Sequence, residues 1–123
     1  MLKRQKSNKY NSVISTYKGI KYHSKAEVKY AQILDDLLEK GLINSYTRQA
    51  RYPLPNMNGV MKMAYVADFV VIGNSGEEYI IDVKGFLSVE NKTKLAYFRF
   101  YYKKPVYIVF TTGPERFRTH FLV

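Results

Sequence analysis

Glu27, Asp68, Asp82 and Lys84 are the residues in this sequence whose types and spacing are suited to chemistry. A strand over 61–72, a turn over 73–77 and a returning strand over 78–84 follow from two apolar runs broken at Gly73-Asn74-Ser75-Gly76. If Ile72 faces Glu78 across that turn, Val70 faces Ile80 and Asp68 falls directly opposite Asp82. Lys84 then shares a face with Asp82, because side chains alternate with period two. Two facing carboxylates repel and weaken a ladder. A divalent cation between them reverses the sign, and hard oxygen ligands suit Mg²⁺ or Mn²⁺. The pattern is that of a metal-dependent phosphodiesterase.

Phosphodiester hydrolysis requires a screened phosphate, an activated water and a stabilised leaving oxygen. Asp68 and Asp82 would hold the cation with the Val83 carbonyl, and Glu27 directly or through a water. Lys84 would orient or deprotonate the water, or stabilise charge in the transition state; the sequence leaves these roles open. Each residue also has a plainer reading. Ser24-Lys25-Ala26-Glu27 is a capping-box pattern, Asp68 fits a solvent-facing edge position, and Asp82 with Lys84 fits a surface ion pair. Glu27, however, begins the apolar stripe Ala31, Leu34 and Leu38, which turns it toward the sheet. The conjunction of all four favours the site.

The elements that position these residues read in chain order. Segments 13–17 and 20–23, joined at Lys18-Gly19, form a small hairpin. A helix runs from Ser24 to Lys40 and stops at Gly41, a left-handed cap that sets Leu42 against the last turn. A first sheet strand covers 43–52 and ends at Pro53 and Pro55. After the two strands that carry the aspartates, a second helix starts near Ser88 and reaches about Lys103. A buried strand covers 106–110, and a short strand with alternating Phe117, Thr119 and Phe121 closes the chain. The fold expected is α/β (α+β), an αβββαβ core with one mixed sheet flanked by helices.

With 123 residues, 46% of them hydrophobic, the chain supports one core, hence a flexible basic arm over 1–10 and a single domain over 11–123. No apolar run spans a bilayer, and the basic start 1–9 has no secretory core, so a cytoplasmic protein without membrane contact is expected. Zero cysteines exclude disulfides, thiolate zinc sites and a cysteine nucleophile. His23 and His120, the only histidines, leave little for zinc or histidine-based hydrolysis. The formal charge is +10, and no acid precedes Glu27. Such a balance favours a polyanion, with DNA the expected partner. Lys3, Arg4, Lys6, Lys9, Lys25, Lys92, Lys94 and Arg99 are the expected phosphate contacts. Gln49 either points at the site from the first strand or pairs with a backbone group.

At Ser24-Lys25-Ala26-Glu27, Tyr65-Val66-Ala67-Asp68-Phe69 and Ile81-Asp82-Val83-Lys84-Gly85 the chain resembles the PD-(D/E)XK nuclease superfamily. The run Tyr17 to Glu27, then Arg48-Gln49 and Tyr52-Pro53-Leu54, is similar to small phage proteins of that superfamily. The resemblance covers roughly 10–110. Ala67 stands where the superfamily's proline would be, a position that does not ligate metal. It implies a restriction-endonuclease-like αβββαβ fold and Mg²⁺-dependent DNA cleavage in a bacterial host's cytoplasm. The related Holliday-junction resolvases and transposase-associated nuclease subunit further imply branched or non-duplex DNA as substrate and a homodimer as one assembly. The competing expectations are a non-catalytic DNA-binding module and a subunit whose nuclease works only within a larger complex.

Overall fold

Lys18 and Gly19 both adopt positive φ, 52° and 78°, which is what a two-residue hairpin turn demands. They join β1 (Ser15–Tyr17) to β2 (Ile20–Tyr22) in the computed structural model, which describes residues 15–56, 58–111 and 117–122. Ser24 then caps α1 (Lys25–Glu39), its Oγ accepting the Glu27 N–H at 3.1 Å. The helix buries Glu27, Ala31 and Leu34 and stops at Gly41, whose φ is +73°. The Gly41 and Leu42 N–H groups bond back to Leu38 and Leu37, which satisfies the last carbonyls. The Leu42 side chain, expected to cover that turn, remains 61% exposed.

The main sheet has the order β3 (Ser45–Leu54), β4 (Met63–Ile72), β5 (Glu78–Lys84), β6 (Val106–Thr111), β7 (Phe117–Leu122). Its pairs are antiparallel except β5 with β6, which run parallel because α2 (Val89–Tyr102) crosses between them. Ser88 caps α2, and Lys103 closes it in a left-handed conformation. Helices cover both faces. Leu95 and Phe98 of α2 pack on Leu54, Tyr65, Val70, Ile80 and Ile108. Ala31 and Leu34 of α1, with Tyr22 of the hairpin, pack on Phe69, Val71, Ile81 and Val109. The molecule is therefore a mixed α+β fold whose core order is αβββαβ.

One strand boundary departs from expectation. The first sheet strand starts at Ser45 and runs through Pro53 to Leu54 instead of ending before the prolines. β3 lies at the sheet's edge, so the N–H that proline lacks is one the ladder does not use. Tyr102 and Tyr97 of α2 donate their hydroxyls to the Pro53 and Pro55 carbonyls, fastening this edge to the helix. No described helix is long and apolar enough to cross a membrane. The arm expected over 1–10, with Lys3, Arg4, Lys6 and Lys9, lies outside the described residues.

Candidate active site

Alternation of side chains inverts in mid-sheet, and the acids lie at the inversion. On β4, Tyr65 and Ala67 face the α2 side, yet Phe69 and Val71 face the α1 side. On β3, Tyr46 faces the α1 side, whereas Ala50 and Tyr52 face the α2 side. Between them Arg48 pairs with Phe69 and Ala50 with Ala67, so Gln49 falls beside Asp68. Gln49 makes the turn-over by taking φ +56°, a left-handed conformation that costs a non-glycine residue on the order of 1 kcal/mol.

The β4–β5 register is the expected one over the paired residues, Ile72 with Glu78 through Phe69 with Ile81. The ladder stops at that last pair, one position short of Asp68 and Asp82. Instead of simply facing each other, the two carboxylates reach across to main chain. Asp68 N–H donates to Asp82 Oδ1 at 3.1 Å, and Val83 N–H donates to Asp68 Oδ2 at 2.8 Å. Tyr65 donates its hydroxyl to Asp82 Oδ2 at 2.6 Å. These bonds explain how a strand pair tolerates two buried acids at its end.

They do not remove the electrostatic frustration. Asp68 is 9% exposed and Asp82 2%. Burial, then the charges of Asp82 and Glu27, push the Asp68 carboxyl up to about 7, against the opposing pull of the Val83 N–H and Lys84. Glu27 is also buried, and burial raises its carboxyl, while the His23 backbone N–H and the charges of His23, Lys84 and Arg48 work the other way. Glu27 thus forms half of the expected capping box, its N–H bonded to Ser24, while its carboxylate accepts from the His23 N–H just before the cap and feels the charges of Lys84 and Arg48.

Lys84, half-buried at the end of β5, lines a cavity of about 160 Å³ with Tyr65, Asp82, Asn91, Lys94 and neighbouring apolar groups. The structure therefore brings Glu27, Asp68, Asp82, Val83 and Lys84 into one region. It also adds residues that the sequence reading passed over. Tyr65 holds Asp82, and its only advance signal was its place three residues before Asp68. Arg48 lies 4.3 Å over the Tyr22 ring and donates Nη2 to the Lys21 carbonyl, while its buried Nε has no partner. Asn91 joins the cavity from the first turn of α2. Of the expected phosphate contacts, Lys25, Lys92 and Lys94 are exposed, Gln49 and Arg99 are half-buried, and only Lys94 borders the cavity.

Among the described residues no three acidic or histidine side chains converge into a ready-made metal cage. The donor set nevertheless fits Mg²⁺ or Mn²⁺, ions that take one or two carboxylates and complete their shell with water and substrate oxygens. Each carboxylate oxygen retains a lone pair beyond its present bond. Asp68 and Asp82 suit direct ligation, and Glu27 suits a water-mediated place.

The family described as Protein of unknown function (DUF1064) matches residues 7–112, and the chain belongs to it. No curated protein and no solved structure matches the chain.

Proposed function

We propose that this DUF1064 protein is a metal-dependent deoxyribonuclease of the PD-(D/E)XK kind, hydrolysing DNA phosphodiesters with Mg²⁺ or Mn²⁺. One observation carries the reading: Asp68 and Asp82, both buried, are hydrogen-bonded across the end of the β4–β5 ladder, with Lys84 lining one cavity with Asp82 and the charge of buried Glu27 felt at Asp68. A bound divalent cation would supply charge for the scissile phosphate and lower the pKa of an attacking water. Asp82 is held in place by Tyr65 and the Asp68 N–H, so its free lone pairs are pre-aimed. Lys84 extends over the same cavity, where its ammonium orients a water or meets charge on the phosphate oxygens. Lys94 and Asn91 at the cavity rim are suited to hold the strand. The +10 charge supplies the sequence-independent part of affinity. The reading extends to branched or non-duplex DNA as the preferred class, a homodimer as one assembly, and the cytoplasm as the setting.

A second reading has its own observation. Three of the four aspartate oxygens already accept protein hydrogen bonds, as they would in a non-catalytic DNA-binding module that uses the acids to cap a ladder. The purified protein incubated with labelled linear, single-stranded and four-way-junction DNA, in Mg²⁺ and in EDTA, separates the two. Mg²⁺-dependent products support the nuclease. Tight binding of every substrate without a cut in Mg²⁺ or Mn²⁺ leaves the module.

A further inference from the structure

Immediately after Lys84 the chain turns through Gly85 to Phe86, which is 74% exposed, and three residues later Val89 is 78% exposed. These are the two most exposed large apolar side chains among the described residues. The segment that carries them is anchored. Leu87 packs on the α2-side core, and Ser88 is fixed as the cap of α2, its Oγ accepting the Asn91 N–H at 3.1 Å. Phe86 thus stands out from a short loop pinned by Leu87 on one side and by the end of β5, two positions back, on the other. An aromatic ring held in water at such a place favours a flat apolar partner.

The surroundings identify the partner's charge. Lys84 and Lys94 border the cavity, and exposed Lys92 lies on the first turn of α2. A second copy of a +10 chain would bring like charge against these lysines. A strand of nucleic acid brings phosphates for them and a base for the ring. Bases inside a duplex are already stacked, so only an unpaired one is available. Phe86 lies two positions after Lys84, with only Gly85 between them, a span of at most about 7 Å between Cα atoms. We propose that Phe86, with Val89 beside it, is a stacking platform for an unpaired nucleobase next to the phosphate held at Lys84 and Lys94. The substrate class that follows is DNA with an unpaired strand at the cleavage point: single strands and flaps. The inference rests on the nuclease reading for its position relative to the bond cut, and on exposure and charge for the binding itself.

The test is run in EDTA, so that binding is measured without cleavage. A single-stranded oligonucleotide carrying 2-aminopurine, and the same sequence as a duplex, are titrated with wild type, Phe86→Ala and Phe86→Trp at one fixed salt concentration. Wild type should quench the single-stranded probe and leave the duplex probe unchanged. Phe86→Ala should lose the quench and bind the single strand about tenfold more weakly, with duplex affinity within about twofold of wild type. Phe86→Trp should retain both quench and affinity. Equal quench in wild type and Phe86→Ala overturns the proposal, as does an equal loss on single strand and duplex. It is also overturned if wild type sediments as a dimer that Phe86→Ala dissociates, since the ring would then belong to an interface between copies. A Phe86-dependent quench from a protein that cuts nothing in Mg²⁺ supports the platform while refuting the nuclease reading.

Discussion

Asp68→Asn should stabilise the protein above neutrality, which is opposite to the usual effect of deleting a hydrogen-bonded carboxylate. The Asn carbonyl still accepts the Val83 N–H that Asp68 Oδ2 takes at 2.8 Å, so the ladder end survives. What disappears is a charge pressed between Asp82 and Glu27 in a buried place. The folded-state carboxyl is raised to about 7 from 3.8, so the folded protein holds this proton where the unfolded chain has released it. Stability from this group is therefore complete below about pH 4 and is lost as pH rises toward 7. A shift of this size corresponds to at most ~4 kcal/mol. Water entering at the end of the ladder brings the expectation to roughly 2–4 kcal/mol. At about 3–6 °C per kcal/mol for a chain of this length, the mutant's Tm should exceed wild type by at least about 6 °C at pH 8. Near pH 4 the gap should vanish. Thermal unfolding followed by far-ultraviolet circular dichroism from pH 4 to 8 provides the curves. Parallel curves, with a constant difference between the two proteins, would refute the claim that the Asp68 charge is frustrated.

Millimolar Mg²⁺ at pH 7.5 should raise the wild-type Tm toward that of Asp68→Asn and move the mutant much less; equal shifts would place the cation elsewhere. Tyr65→Phe removes the donor to Asp82 Oδ2 and should cost about 1–3 kcal/mol in urea unfolding, with the slope unchanged. An unaltered midpoint would mean that water replaces the hydroxyl freely. Gln49→Gly relieves the left-handed strain at φ +56° and should leave stability within about 1 kcal/mol of wild type while lowering activity in the cleavage assay. A loss of stability well beyond that range would show that the Gln49 side chain carries packing, not strain.

The sequence made the elements and the register legible because the patterns behind them are local. The pairing of Ile72 with Glu78 through Phe69 with Ile81 follows from the turn at 73–77 and strict alternation, and Ser24 and Gly41 mark the ends of α1 by their own chemistry. The inversion at Gln49 and Asp68 was not legible, since nothing in Arg48-Gln49-Ala50 announces a left-handed residue. Strand alternation counted from either end gives Asp68 a different face, and only the packing of α1 and α2 on opposite sides decides where the switch falls. The proline rule misplaced the end of β3 because edge position is a property of the whole sheet. Tyr65 and Arg48 escaped notice for a similar reason: a tyrosine in an apolar strand reads as core, and an arginine as surface, until a neighbour supplies Asp82 or Tyr22.

The central claim is that the acids and Lys84 perform hydrolysis and do not merely shape a DNA-binding surface. Single-turnover cleavage of labelled DNA in Mg²⁺ tests it, with wild type, Asp82→Asn and Lys84→Ala compared at equal DNA occupancy. Because Lys84 is one of 20 basic residues, its loss should leave affinity nearly intact. The account predicts that wild type cuts and that both variants bind but cut at least about a hundredfold more slowly. Cleavage at the wild-type rate by Lys84→Ala or Asp82→Asn would contradict it.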